Sequence, residues 1–343
     1  MDNLKNTRFP KFLNRIGEIN KNNNGLFYGN AGEVILLYLL SKKFKDPLLS
    51  ERAAILLNSI ADNIADVESL NFDNGLAGIG WAIECIAQNN FLEMNTNEIL
   101  EEIDDVLYKS VLYNSDDNIS LANGLLGKFN YFLSRFKSRN QNTHRLKNIF
   151  HEECLILLTD DLNEKLLGEF GVVNKKELNK NDLLNLGHSI YFLSAFLPLR
   201  VNLFVVESTL YETVKFVDEY LNKLKNNTVE IKQKEYILFL SNCYWFTGEN
   251  HQHNYWKECA LKFIRFFKSP NKVINNEVTS LEKILSLISQ VSVSSFEEND
   301  LFKSNSENDP EHITLVSTPG KLLVKDCSGI ISPQIERDLL IMV

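Results

Sequence analysis

No stretch of this 343-residue chain strings together the roughly 18 uninterrupted apolar residues of a membrane span, so the sequence offers no transmembrane helix. The opening segment, MDNLKNTRFPKFLNRIGEI, lacks a continuous apolar core, which argues against a secretory signal peptide. A Lys/Arg-rich stripe is missing and the net charge is −9, so nucleic acid is not an expected partner. Cysteine is sparse. Five cysteines, an odd number at irregular spacing, fit reduced thiols of a cytoplasmic protein better than a disulfide framework. Period-two alternation of apolar and polar residues is absent as well, which removes a sheet as the organising element.

What the chain does have is a repeat. Asn71 to Ala87 reads NFDNGLAGIGWAIECIA: a polar lead-in, Gly75-Leu-Ala-Gly78, then a nearly unbroken apolar run. Gly29-Asn-Ala-Gly32 leads into EVILLYLLS in the same way, and Gly124-Leu-Leu-Gly127 into KFNYFLSRF. The first glycines recur at a spacing of roughly fifty residues, room for two helices and two connections, and such periods mark arrays of supersecondary units. Glycine ahead of an apolar helix tolerates unusual backbone angles and close approach of a neighbouring chain. A helix apolar nearly all round is a buried helix. An amphipathic helix follows each one. Pro47 to Val67 carries Leu48, Leu49, Ala53, Leu56, Leu57 and Ile60 at helical spacing. Thr96 to Leu112 is capped by Thr96 or Asn97 with acids in its first turn. Inner apolar helices covered by outer amphipathic ones make two concentric layers, and although length alone suggests two domains, the repeat favours one domain over residues 1–343.

Further along, the third outer helix is expected near Thr143 to Leu158, and the Lys/Asn-rich Asn163 to Asn181 as a loop. A fourth repeat opens at LLNLGHSI with Ser189 and Phe192 in the glycine places, followed by an outer helix at Glu207 to Leu224. The fifth runs through YILFLSNCYWFTG with Trp245 and Gly248 in those places, and its outer helix spans Asn254 to Phe267. Inner helices are therefore expected to begin at about 30, 76, 125, 189 and 244. One more helix is expected over Glu277 to Val291, and an acidic loop or disordered insertion over Ser294 to Pro310.

These repeated glycine pairs, together with Asn185-Leu-Gly-His188, Cys243-Tyr244 and Ser328-Gly329-Ile, resemble the lanthionine synthetase C family, the cyclases of lanthipeptide biosynthesis. The resemblance implies an all-α fold, a double-layered α/α toroid. It also implies a zinc ion held by two cysteines and one histidine, which binds a cysteine of the precursor peptide and favours its thiolate. That thiolate adds to a dehydroalanine or dehydrobutyrine and closes a thioether ring. A precursor peptide and a dehydratase are the implied partners.

Set against the family's motifs, the site departs from the pattern. Trp-Cys-Tyr-Gly becomes Asn242-Cys243-Tyr244-Trp245. Cys-His-Gly is missing from the chain, and its nearest echo is Cys327-Ser328-Gly329. Asn-Leu-Gly-x-x-His-Gly shortens to Asn185-Leu-Gly-His188-Ser. The family's acid before the third glycine is Ser120, and the basic residue before the zinc cysteine is Phe239. The resemblance therefore implies Cys243 and Cys327 as metal candidates and His188 and Tyr244 as catalytic candidates, with a degenerate zinc site.

Plainer readings stand beside these. Cys243 as a buried core thiol and His188 as a structural histidine are the leading alternatives. His251-Gln-His253 reads as surface histidines, Cys259 as packing, and Glu101, Glu102, Asp104 and Asp105 as a solvated helix face. Two functions follow: a degenerate homologue serving as a peptide-binding or complex-forming partner, which the missing ligands favour, or an active cyclase with an altered site. A third, a toroidal glycoside hydrolase, needs a pair of acids, for which only Asp73 and Asp182 offer themselves.

Overall fold

The computed structural model of the protein describes residues 23–114, 116, 118–138, 145–226, 233–268, 337–339 and 341. Their regular structure is helical, with no strand among the described residues. The order is α1 (Asn30–Phe44), α2 (Pro47–Asp62), α3 (Leu76–Gln88), α4 (Thr96–Ile99), α5 (Glu101–Tyr113), α6 (Leu125–Phe136), α7 (Arg145–Leu167), α8 (Lys180–Phe196), α9 (Leu203–Asn226), α10 (Lys234–Asn250) and α11 (Asn254–Lys268), with short 3-10 turns after α2, α7 and α8. The chain divides into two compact units. One draws on residues up to Leu107, on Ser134–Asn148 and on the chain from Ser292; the other draws on Tyr108–Leu133 and Ile149–Val291.

The two kinds of helix are those the repeat implies. In α1 every residue from Asn30 to Leu40 is buried, and in α3 every residue from Leu76 to Ile86. By contrast α2 buries one stripe, Leu49, Ala53, Leu56 and Ile60. Each such side chain contributes about 1.5–3 kcal/mol on leaving water. Leu48, read as part of that stripe, lies one helical step away and is exposed. In the first unit α1 packs on α2 and α3; in the second α8 packs on α9 and α10, and α10 on α11.

The three glycine-led helices open on one construction. Six residues before the glycine stand Asn23, Ser69 and Asn118. The side chain of each accepts from the backbone N–H two residues on (Gly25, Asn71, Ser120), and its carbonyl accepts from the first helical N–H (Asn30, Leu76, Leu125). The helix is thus capped by a returning backbone carbonyl in place of a side chain. The glycines are there for space and not for backbone angle. Gly29 and Gly75 are extended, at φ −131° and −128°. A Cβ on Gly29 would stand 2.6 Å from the Asn23 carbonyl, and one on Gly75 or Gly124 would strike Ser69 or Asn118 closer still.

The fourth and fifth inner helices lack this lead-in and start earlier than expected. α8 begins at Lys180 and not near 189, because Asn179 and Asp182 form a capping box: Asn179 Oδ1 accepts from the Asn181 and Asp182 amides, and Asp182 accepts from the Asn179 amide at 3.0 Å. α10 begins at Lys234 and not near 244. Ser189, Phe192, Trp245 and Gly248 are therefore interior helical positions. The expected loop at Asn163 to Asn181 is helical to Leu167, since Leu162 and Leu166 are buried and carry α7 onward. The expected elements at Glu277–Val291 and Ser294–Pro310 lie outside the described residues.

Successive outer helices run side by side in matching register. The Tyr108 hydroxyl donates to Glu153 (2.9 Å), Thr209 donates to Asn163 (2.7 Å), and the Tyr211 and Trp256 rings meet at 5.5 Å. Asn202, just ahead of α9, donates to Asp160, which lies before Asn163 on α7 as Asn202 lies before Thr209, so α7 and α9 are parallel.

One charged group lies at the centre of the first unit. Arg135 of α6 is fully buried. Its Nε and one terminal nitrogen donate to both oxygens of Asp104 (3.0 and 2.8 Å), and it also donates to Glu84 (2.6 Å), Thr96 (3.0 Å) and Asn97 (3.1 Å). This corrects three expectations. Asp104 is not on the solvated face. Thr96 and Asn97 are Arg135 partners, and the cap of α4 is Asn95, which accepts from the Asn97 amide. A buried guanidinium has five N–H donors to satisfy, and it draws these residues inward.

Candidate functional site

Gly187 and His188 of α8 face α10. A Cβ on Gly187 would come within 2.8 Å of the Phe239 ring and 3.2 Å of Cys243 Sγ, so the missing side chain is what lets the two helices close on this sulfur. The His188 ring lies 4.9 Å from that of Phe239, edge to face, and 6.3 Å from that of Phe192, stacked. His188 is buried, and so is Cys243. The α8–α10 seam therefore brings His188 and Cys243 to the same aromatic ring, Phe239.

Burial pushes the Cys243 thiol well above its usual range. Only the thiolate binds zinc or attacks, and here a phenyl ring stands where a cation would have favoured it. Among the described residues no group of three or more His, Cys, Asp or Glu side chains converges where an ion could be held. Cys327, the other metal candidate, lies outside the described residues.

Tyr244 does not accompany Cys243. One residue further along α10 turns its ring about 100° away, toward α9 and α11. Its hydroxyl donates to Asp218 of α9 at 3.2 Å, and its ring is 6.5 Å from Trp256. Burial first, then Asp218, raises the phenol far above its ordinary value. Asp218 also draws the Asn222 amide (3.3 Å) and the Cys259 thiol, which in turn bonds Tyr255. This polar cluster lines a small cleft of about 40 Å³ with Lys225 and Lys262. The α9–α11 side of α10 was not legible from sequence, although an Asp on an otherwise amphipathic α9 four residues before Asn222 is a weak signal for it.

The remaining candidates have structural partners. His253 stacks on Trp256 at 4.3 Å, and its Nδ1 accepts from the Trp256 amide at 3.4 Å at the start of α11. His251 meets the edge of the same indole at 5.9 Å, half-buried and without a hydrogen-bond partner at Nε2, which is not the surface pair that the sequence implies. Burial, then His253, holds the His251 imidazole below its usual pKa. Asp182 is engaged by the capping box and by Lys175 at 2.6 Å. Asp73 has one buried oxygen without a hydrogen bond, and burial raises its carboxyl pKa.

A family model described as lanthionine synthetase C-like protein matches residues 6–183, just over half of the chain. A search of curated proteins finds no match. The matched span covers the three glycine-led openings and the Arg135 cluster, and ends before His188, Cys243, Tyr244 and Cys327.

Proposed function

The chain belongs to the lanthionine synthetase C-like family, and from that premise we propose that it serves lanthipeptide-type modification of a ribosomal peptide as a peptide-binding or complex-forming partner, with a degenerate zinc site, in the cytoplasm. Its precursor peptide and a dehydratase are the partners this reading calls for. The alternation of fully buried and one-faced helices accords with the family's α/α toroid class. The observation that carries the reading is the environment of Cys243. Its thiol is walled by Phe239 and Gly187, burial raises its pKa, and no group of three or more potential ligands converges among the described residues. A cysteine binds zinc as its thiolate, and a catalytic zinc site takes three protein donors.

An active cyclase with an altered site is the second reading, favoured by one observation: His188 shares the α8–α10 seam with Cys243. The glycoside-hydrolase reading has lost Asp182 to helix capping and Lys175. Elemental analysis of the wild type and of Cys243→Ala, with a ring-closure assay on a dehydrated precursor peptide, separates the first two. The partner reading expects little zinc, unchanged in the variant, and no ring closure. Stoichiometric zinc lost on mutation, together with ring closure lost on mutation, would overturn it.

A further inference from the structure

The outer face of the second unit carries a band of apolar side chains that its packing does not use. Tyr108 of α5 meets Glu153 of α7. Four residues further on both helices stand Leu112 and Leu157, each 37% exposed. Asn163 of α7 meets Thr209 of α9. Six residues back on both stand Leu157 and Leu203, the latter 42% exposed. With a common rise of about 1.5 Å per residue, the three leucines lie at one level across three neighbouring helices. Phe150, 47% exposed and packed on Tyr108 at 5.3 Å, extends the band on one side; Phe204, 83% exposed, extends it on α9. Scattered exposed leucines are ordinary, whereas a contiguous apolar strip on an outer layer marks an interaction surface.

The charges around the band have one predominant sign. Glu152, Asp160, Glu164 and Glu207 are solvent-accessible on α7 and α9. The nearby cations Lys165 and Lys215 are paired with Asp161 (3.1 Å) and Glu212 (3.8 Å). Among the described residues Lys109 on α5 and Arg200 just ahead of α9 are the exposed cations near the band, fewer than the acids.

We propose that this band across α5, α7 and α9 docks an amphipathic helix of a partner protein, with a leucine-type apolar face and lysine or arginine flanks. The apolar strip supplies the buried centre and the acids supply the complementary rim. The proposal rests on the reading of the chain as a complex-forming partner, and gives that reading a surface. A helix laid across the strip would bury Leu157 at its middle, with Phe204 and Phe150 as aromatic anchors.

The probe is a fluorescein-labelled 18-residue Leu/Lys amphipathic peptide, with a Leu/Glu peptide of the same pattern as control, read by fluorescence anisotropy at 0.15 M salt. The full chain is compared with Leu157→Ser/Phe204→Ser and with Glu207→Lys; all three changes are at exposed positions, and circular dichroism and urea unfolding verify the fold. The expected result is binding of the Leu/Lys peptide alone, weakened at least tenfold in the double variant, weakened less in Glu207→Lys, and reduced by salt. Equal binding by wild type and double variant would overturn the proposal, as would equal binding of the Leu/Glu peptide. Sedimentation showing a dimer that the double variant dissolves would overturn it in favour of a second copy of this chain. The readout involves neither zinc nor ring closure. A cyclase activity discovered alongside an intact binding band would therefore remove the partner reading and leave the surface standing.

Discussion

Replacing Arg135 with methionine tests the account of the first unit. The methionine fills much of the guanidinium's volume and removes its five donors. Two carboxylates are then left behind. Glu84 is 1% exposed at its side chain and cannot rehydrate in place; Asp104 is 11% exposed and has some access to water. Hydrogen bonds to charged groups are individually worth about 1.5–3 kcal/mol, but they share one guanidinium and do not add. The governing comparison is breaking a buried ion pair by removing one partner, which costs about 3–5 kcal/mol. That is a large share of the roughly 5–15 kcal/mol typical of a whole domain. Urea unfolding followed by circular dichroism at 222 nm should show the loss as a lower midpoint with an unchanged slope. Adding Glu84→Gln to the variant should recover part of it, because a neutral amide needs less compensation than a stranded carboxylate, and Gln88 donates to the same position at 3.0 Å. A single variant within about 1 kcal/mol of wild type, a value typical of exposed pairs, would refute the reasoning. So would a double variant no more stable than Arg135→Met.

Other expectations follow from the openings and the histidines. Gly78→Ala should destabilise by about 1–3 kcal/mol in urea titrations, because its Cβ would press on the Phe72 carbonyl and stand 2.9 Å from Leu26 Cβ; a neutral outcome would mean that the two loops yield easily. Asn118→Ala should cost on the order of 1 kcal/mol, since the Ser120 amide loses its 2.8 Å acceptor while the carbonyl cap of α6 remains; a loss comparable with that of Arg135→Met would show that the side chain, not the carbonyl, closes the loop. His251 is held neutral, below its ordinary 6.5, so its contribution is present above that pH and is lost as pH falls below it. The urea midpoints of wild type and His251→Gln should therefore converge on acidification from pH 7.5 to 5.5, and a constant difference would refute the assignment.

The three glycine-led helices were legible from residue order. A glycine, a polar lead-in and an unbroken apolar run together require a buried helix with a close neighbour, and α1, α3 and α6 begin where that pattern puts them. The pattern failed at α8 and α10, whose glycines are helical and serve the contact between helices instead. Gly187 admits Cys243 and Phe239 across the seam, a role invisible to any count of spacing along one segment.

Residue order alone encodes the all-helical class, the roughly fifty-residue period and the division into buried and one-faced helices. Each of these depends on periodicity within a single segment, which local order encodes in full. Which charges are inside and which candidates meet was settled by the packing of helices distant in sequence. Glu84 and Arg135 are charges within apolar runs, 51 residues apart, and nothing in either run names the other. Cys243 and Tyr244 are adjacent in sequence but face different helices, because each residue of an α-helix is rotated by about 100° from the last. His188 joins the first and Asp218 the second through contacts that exist once α8, α9 and α10 have packed.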